Sequence, residues 1–220
     1  MLYPERFQIQ ESNEKEKRIY SCEGHSFSGS ALTLKILFME QMNDLKALLR
    51  HDVQMLCSVE EQIIEALPAM IARAQSPALK QALQDHLRVT ERQRDRLDQV
   101  RDLLGASEED VTKYSGVLAG LMGGTKCKGM DGIIDEGQKI MAENLSDEVM
   151  DAAIIGGSQK IEHFEIASYG TARTFARQLG LTNVAELLQQ TLDEEYMADQ
   201  ELTSLAEQSI NQRASVGSMS

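Results

Sequence analysis

The chain has 220 residues, of which 22 are Lys or Arg and 35 are Asp or Glu, so its formal net charge is −13. Apolar residues make up 42% of the sequence and charged residues 26%, a globular composition that excludes a chain disordered throughout. An acidic surface repels phosphate backbones and anionic lipid headgroups. The charge therefore argues against nucleic-acid binding and membrane-surface binding, and it favours the attraction of cations.

The cysteines and the N-terminal sequence indicate a compartment. Cys22, Cys57 and Cys127 are widely spaced and include no Cys-x-x-Cys pair. This spacing argues against a disulfide framework and against a thiolate zinc site, and it suits a reducing compartment. The N-terminus lacks the basic start and apolar stretch of a secretory signal, and no apolar run approaches the roughly 20 residues of a membrane span. We therefore expect a cytoplasmic protein.

Polar segments flank a central helical domain. Residues 1–30 are polar and end in a Gly/Ser-rich stretch, which predicts a flexible N-terminal arm. Residues 210–220 have a similar character and predict a flexible tail. In residues 31–209, apolar side chains recur at helical spacing, and the alternating β-branched runs of strands are absent. The sequence therefore predicts an all-α domain.

The first two predicted helices form a hairpin. Apolar periodicity predicts a long helix from Ala31 to about Arg73. Ser76 followed by Pro77 is an N-cap with proline at the first helical position, which predicts the start of a second helix. That helix ends near Leu104, before a glycine suited to the left-handed C-terminal position.

A long crossover leads to a second hairpin. Glycines break residues 106–145 into short helices, one of which contains the stretch GIIDEGQKIM. Ser146 caps a third long helix over residues 147–179, which Gly180 closes. Asn183 with Glu186 resembles a capping box and predicts a fourth helix that ends near Glu207. Two hairpins joined by one long crossover are typical of a ferritin-like four-helix bundle.

A metal site inside such a bundle needs ligand-type side chains on the inner faces of its helices. On the first helix, Glu60 lies within or at the edge of the apolar stripe, and on the second helix His86 lies at the centre of the seam. On the third helix, Glu162 and Glu165 are three residues apart and share a face. All four positions are candidate ligands.

The fourth helix adds two further acids. Glu195 lies in its apolar stripe, and Asp199 lies one turn further along the same face. Buried carboxylates cost several kcal/mol each unless they are protonated, paired with a base or bound to a cation, and few Lys or Arg share these seams. Oxygen ligands with one or two imidazoles suit iron or manganese. Inward-facing ligand types on all four helices therefore favour a metal site.

Each of these residues also has a simpler explanation when it is considered alone. A single Glu on a seam can be a helix-edge residue that reaches water, and His86 can be a hydrogen-bonded core histidine. Glu162, His163 and Glu165 can form an intersubunit hydrogen-bonding patch. These alternatives stay open at the level of the sequence.

From about residue 46 to residue 206, the chain resembles a known protein family. The matching stretches include SVEEQIIEALPAM, HLRVTERQRDRLDQV, KCKGMDGIIDEGQKI and LLQQTLDEEYMADQELTSLA, and EHFEIASYGT is the most specific. On these motifs the chain is similar to the YciF-type family of bacterial ferritin-like stress proteins. The resemblance implies a rubrerythrin-related bundle, a homodimer and an association with osmotic or other stress.

The family's characteristic polar residues fall here on a set that includes Glu60, His86, Glu136, Glu162, Glu165, Glu195 and Asp199. A standard di-iron bundle carries Glu-x-x-His on two helices, whereas here Leu83 stands three residues before His86 and Ala198 stands three after Glu195. One ion, an atypical pair or none therefore stay open, and Glu136 in the crossover is a candidate for a missing oxygen ligand.

These observations predict a stress-associated protein that binds iron or manganese inside the bundle. A redox-active centre of this kind would react with a small oxidant such as peroxide or dioxygen. The alternative is a metal-free structural or partner-binding dimer whose inward acids form hydrogen-bonded networks.

Overall fold

A computed structural model describes residues 43–105 and 126–216 of the chain. The long helices are α1 (Leu45–Arg73), α2 (Pro77–Leu103), α4 (Asp147–Gln178) and α5 (Thr182–Leu205), and the shorter α3 spans Lys128–Met141. After α5 the chain continues through a π-helical turn, Ala206–Ile210, into a short helix α6, Asn211–Val216. No strand occurs in either described range, so the all-α prediction is confirmed.

Local signals in the sequence set most helix ends. The side chains of Asp44, Ser76 and Ser146 each accept a hydrogen bond from the backbone N–H three residues later, which satisfies one free donor at the start of α1, α2 and α4. Gly105 and Gly180 follow α2 and α4 with φ of 71° and 70°, the left-handed conformation that glycine adopts at low cost. Both glycine stops were predicted.

Two helix starts differ from the prediction. The helix predicted from Ala31 begins at Leu45, because the extended residue Asp44 caps it. The helix predicted from Asn183 begins at Thr182, and no side chain caps it, so the capping box does not form. Residues 1–42 and 106–125, which include the predicted arm and half of the crossover, lie outside the described residues.

The C-terminal end of the last long helix also differs. The sequence placed it near Glu207, but helical structure continues through Ile210 to Val216, into the stretch predicted as a tail. Ile210 is 1% exposed and packs in the apolar core. Burial of this side chain accounts for the continuation, because it favours keeping the chain helical beyond the predicted end.

The four long helices form the bundle that the sequence predicted. α1 packs along α2 and α4 packs along α5, and the hairpins join through α1 with α4 and α2 with α5. The crossover helix α3 packs on α4 and α1. One long crossover between two hairpins is the ferritin-like connection. None of the helices in the described ranges is long and apolar enough to cross a lipid bilayer.

Two separate apolar clusters fill the bundle. The first includes Val59, Ile63, Leu67, Leu79, Leu83, Met130, Ile154, Ile161, Leu202 and Ile210. The second includes Leu49, Val53, Leu56, Leu97, Val100, Leu104, Tyr169, Ala172, Leu188 and Leu192. Burial of each such Leu or Ile contributes about 1.5–3 kcal/mol, so the two clusters fix the helices on either side of the middle of the bundle.

Asp151 on α4 ties the first hairpin to the second. Its carboxylate is 3% exposed, and its two oxygens accept hydrogen bonds from the backbone N–H groups of Gln75, at 2.6 Å, and Ser76, at 2.8 Å. These N–H groups belong to the turn between α1 and α2 and to the start of α2. Asp151 therefore satisfies two donors of one hairpin from a helix of the other.

We predict that Asp151→Asn lowers the free energy of unfolding by about 1.5–3 kcal/mol in urea denaturation, because the amide turns a donor toward a buried N–H and removes the charge that strengthens both bonds. The exposed Asp135→Asn serves as a matched control and should stay within about 0.5 kcal/mol of the wild type. Equal stability of the two variants would contradict the role given to Asp151.

Candidate metal centre

A layer of buried polar side chains lies between the two apolar clusters. On α4, Glu162 and Glu165 lie between Ile161 of the first cluster and Tyr169 of the second. On α2 and α5 the polar residues likewise fall between members of the two clusters. The residues of this polar layer that are no more than 2% exposed are Glu60, Thr90, Gln93, Glu162, Glu165, Thr191 and Glu195.

Four of the predicted ligands converge within this layer. His86, Glu162, Glu165 and Glu195 each offer one ligand atom, and these atoms all lie within 4.8 Å of one another. Ligands on opposite sides of a small divalent cation are about 4 Å apart, so slight closure would bring all four atoms to one ion. The convergence requires three helices, α2, α4 and α5, and it includes both acids that the sequence placed on one face of α4.

Glu60 joins the same layer from α1. It is fully buried, its Oε1 accepts a hydrogen bond from the Tyr169 hydroxyl, and its charge interacts with those of Glu195 and Glu165. Its Oε2 has no hydrogen-bond partner. Glu60 therefore lies beside the four converging ligands with one oxygen free.

The unpartnered atoms test whether these residues fit a cation. They are Glu60 Oε2, His86 Nε2, Glu162 Oε2, Glu165 Oε1 and Glu195 Oε2. A buried polar atom without a partner costs about 1–3 kcal/mol, and a cation would satisfy several such atoms at once. One imidazole and several carboxylates are a donor set that suits iron or manganese. The residues therefore fit a divalent cation of this kind.

Burial changes the protonation of the polar layer. It raises the pKa of Glu60, Glu165 and Glu195 well above the usual value, and the negative charges of neighbouring acids raise it further. Burial and the charge of Asp199 raise the pKa of Glu162 to about 8, and burial lowers the pKa of His86 to about 4. These shifts favour the protonated form of the acids and the neutral form of His86, so a cation would have to displace protons.

The nearest basic side chains are committed to other acids. Arg96 donates to both carboxylate oxygens of Glu194, at 2.8 and 2.9 Å, and to the Thr191 hydroxyl at 2.6 Å. Arg94 pairs with Glu61 at 2.9 Å and with Asp98 at 2.8 Å. Neither guanidinium makes an ion pair with an acid of the polar layer, so the charge of an ionised layer would stay uncompensated.

Two residues hold the acids in place without neutralising them. Gln93 donates through Nε2 to Glu195 Oε1 and, at 3.1 Å, to Glu194 Oε2, while Tyr169 donates to Glu60. Gln93 was not among the residues that the sequence singled out as functional. The signal was present, because a polar side chain at a buried seam position requires a hydrogen-bond partner inside the bundle.

The structure does not bring Glu136 and Asp199 into the group of converging ligands. The Glu136 side chain is 67% exposed, and its nearest charged partner is Lys160, whose Nζ lies 3.7 Å from Oε2. Asp199 is 22% exposed and lies at the edge of the layer, where its Oδ1 is 3.2 Å from Gln159 Nε2 and 3.4 Å from His163 Nε2. The helical spacing placed Asp199 on the correct face, one turn beyond Glu195.

We predict that the metal-free protein loses stability as the pH rises from 6.5 to 8. Folded Glu162 keeps its proton up to about pH 8, whereas an unfolded Glu loses it near pH 4.5, so the folded state binds more protons throughout this range. The free energy of unfolding should fall by about 1–2 kcal/mol from Glu162 alone. Unfolded His86 takes up a proton only near and below pH 6.5, so it contributes little here.

Urea denaturation in the presence of a chelator at pH 6.5 and pH 8 measures this slope. Glu162→Gln should reduce the slope by the share of Glu162, because the amide does not titrate, whereas the exposed Glu136→Gln should leave the slope unchanged. A stability that rises with pH in the wild type would contradict the raised pKa values.

Sequence and structure comparisons identify relatives of the chain. Residues 44–215 match the family described as domain of unknown function DUF892. The chain is 39% identical to Protein YciF of Escherichia coli strain K12 over 157 residues, which cover 71% of this chain and 87% of the relative. A crystal structure of the E. coli stress protein YciF matches with a TM-score of 0.68 and 35% identity, over 77% of this chain and 99% of that one.

Two further solved structures are similar. YcfI of Rhodopseudomonas palustris, which has a provisional label as a structural protein, matches with a TM-score of 0.66 and 35% identity, over 76% of this chain and 98% of that one. A Xanthomonas campestris protein, 21% identical with a TM-score of 0.54 over 74% of this chain and 92% of that one, shares the fold alone. By the match over residues 44–215 and the identity to its E. coli relative, this chain belongs to the YciF-type family, DUF892.

Proposed function

We propose that this protein binds iron or manganese in the polar layer of its bundle and acts in a stress response. One observation carries the proposal: five ligand-type side chains bring unpartnered, buried atoms into one layer, and no Lys or Arg of the described residues forms an ion pair with its acids. The stress role rests on similarity to the E. coli relative, which is described as a stress protein.

His86, Glu162, Glu165 and Glu195 would hold the ion, and Glu60 would add its free oxygen. If iron or manganese were bound there, it would supply the electrons for reduction of a small oxidant such as peroxide or dioxygen. The chain's own residues determine where the ion sits. Gln93 orients Glu195, Tyr169 orients Glu60, and the two apolar clusters exclude water from both sides of the layer.

The second candidate is a metal-free structural or partner-binding role. The carboxyl groups of Glu162 and Glu195 hydrogen-bond to each other, which two acids can do when one of them is protonated. This contact favours the metal-free role. Together with the bonds from Gln93 and Tyr169, this contact makes a network that needs no ion. The structural-protein label of the R. palustris relative agrees with this role.

We propose that the protein is a cytoplasmic homodimer that binds neither nucleic acid nor membranes. Cys57 and Cys127 are free and buried, which agrees with a reducing compartment. The net charge of −13 disfavours anionic partners. The dimer is proposed from the family resemblance.

We predict that the wild-type protein, purified after growth with added iron or manganese and desalted, retains about one or more equivalents of metal per chain by elemental analysis. The double variant Glu162→Gln with Glu165→Gln should retain less than about a tenth of that amount, because it removes two anionic ligands. It should still fold, since amides replace carboxyl groups that are protonated in the metal-free protein.

The matched control for this experiment removes the same charge from the surface. Glu91→Gln with Glu136→Gln changes two exposed acids and should bind as much metal as the wild type. Substoichiometric metal in the wild type, unaffected by either double variant, would favour the metal-free role.

We predict that sedimentation velocity gives twice the chain mass of 24.5 kDa. A mass of many chains would instead favour a hollow ferritin-type cage that stores mineral, and a single-chain mass would exclude the homodimer.

A further inference from the structure

The polar layer reaches solvent on one side. Glu60, Glu162, Glu165 and Glu195 are each no more than 2% exposed, whereas the His86 side chain is 12% exposed. Among the five proposed ligands, His86 is therefore the one that borders water.

Two acidic side chains of α5 follow Glu195 along the helix. Glu201 is exposed, and its charge acts on His86, which places it near the solvent-facing imidazole. Asp199 follows Glu195 by four residues, so it lies one helical turn, about 6 Å, further along the same face. Its side chain is 22% exposed, which makes it intermediate between the buried ligands and the surface.

Two neighbours from α4 surround the Asp199 carboxylate. Gln159 donates through Nε2 to Oδ1 at 3.2 Å and also to the Thr203 hydroxyl at 2.8 Å, so two partners hold this nitrogen beside Asp199. His163 is 68% exposed and places Nε2 3.4 Å from the same oxygen. Asp199 thus has a fixed position beside a second imidazole that is open to solvent.

Glu162 connects this outer group to the inner layer. It is 2% exposed, its Oε1 lies 3.4 Å from His86 Nε2, and its Oε2 has no hydrogen-bond partner. The charge of Asp199 acts on Glu162, and Glu162 hydrogen-bonds to Glu195. Glu162 therefore has an unpartnered, buried carboxylate oxygen and interacts electrostatically with both Asp199 and the inner layer.

We propose that Asp199, with His163 beside it, is an outer carboxylate that captures divalent cations from solvent and passes them to Glu162 and the inner ligands. This proposal rests on the proposed metal-binding function and assigns Asp199 to the loading of the centre, not to its final ligand set. The exposed Glu201, whose charge acts on His86, adds negative potential around the layer, which raises the local concentration of cations.

The test measures the rate of loading separately from the amount of metal bound. Metal-free full-length protein is mixed with Co(II) in a stopped-flow instrument, and the d–d absorption of the bound ion gives the rate. Equilibrium dialysis followed by elemental analysis gives the capacity. Asp199→Asn is compared with the wild type and with Asp193→Asn, which removes an equal charge from an exposed position on the same helix.

We expect Asp199→Asn to slow the binding of Co(II) about threefold or more, because the negative charge that attracts the cation to this position is lost. The amount of metal bound at equilibrium should not change. The wild-type rate should fall steeply with added salt, and the variant's rate should fall less. Asp193→Asn should load at the wild-type rate.

Two results would overturn the proposal while leaving the metal-binding function intact. Equal loading rates for the two variants would show that Asp199 does not capture cations, and a lost equivalent of bound metal in Asp199→Asn would make it a final ligand. Failure of the wild type to bind Co(II), Fe(II) or Mn(II) at any time would overturn the metal-binding function itself and this proposal with it.

Discussion

The burial of four carboxyl groups in one layer is the constraint on which the rest of this structure depends. An ionised carboxylate inside an apolar bundle is costly, and four of them close together repel one another. Glu60, Glu162, Glu165 and Glu195 nevertheless lie between two apolar clusters that fix all four helices. The packing energy of these clusters holds the acids together, and protons or a cation must compensate their charge.

The polar neighbours of these acids fix positions more than they balance charge. Gln93 and Tyr169 donate hydrogen bonds to Glu195 and Glu60, but both donors are neutral. Arg96 could supply a positive charge beside the layer, yet both of its terminal nitrogens donate to Glu194. This division leaves oriented carboxylates whose charge is not cancelled by the protein, which is the arrangement expected of a ligand set that is completed from outside.

The sequence predicted the features that depend on local chemistry. The caps at Ser76 and Ser146 and the glycine stops gave the helix ends, and helical spacing placed Glu60, His86, Glu162, Glu165 and Glu195, the side chains proposed as ligands, on inward faces of their helices. Features that depend on distant contacts could not be predicted in this way. The helix continues through Ile210 because that side chain enters a cluster built from other helices, and Glu136 stays at the surface because α3 turns it toward Lys160. Pairings such as Gln93 with Glu195 join residues about a hundred positions apart.

The five side chains proposed as metal ligands are divided unequally between the two hairpins. The first hairpin supplies Glu60 and His86, and the second supplies Glu162, Glu165 and Glu195. Asp151 joins the two hairpins near the α1–α2 turn. A cation in the polar layer would join them a second time, near the middle of the bundle. Because such a cation binds the folded bundle and not the separated helices, its binding free energy would add to the stability of the hairpin interface. Loading of the centre and tightening of the bundle would then be the same event, since both require ligands from both hairpins.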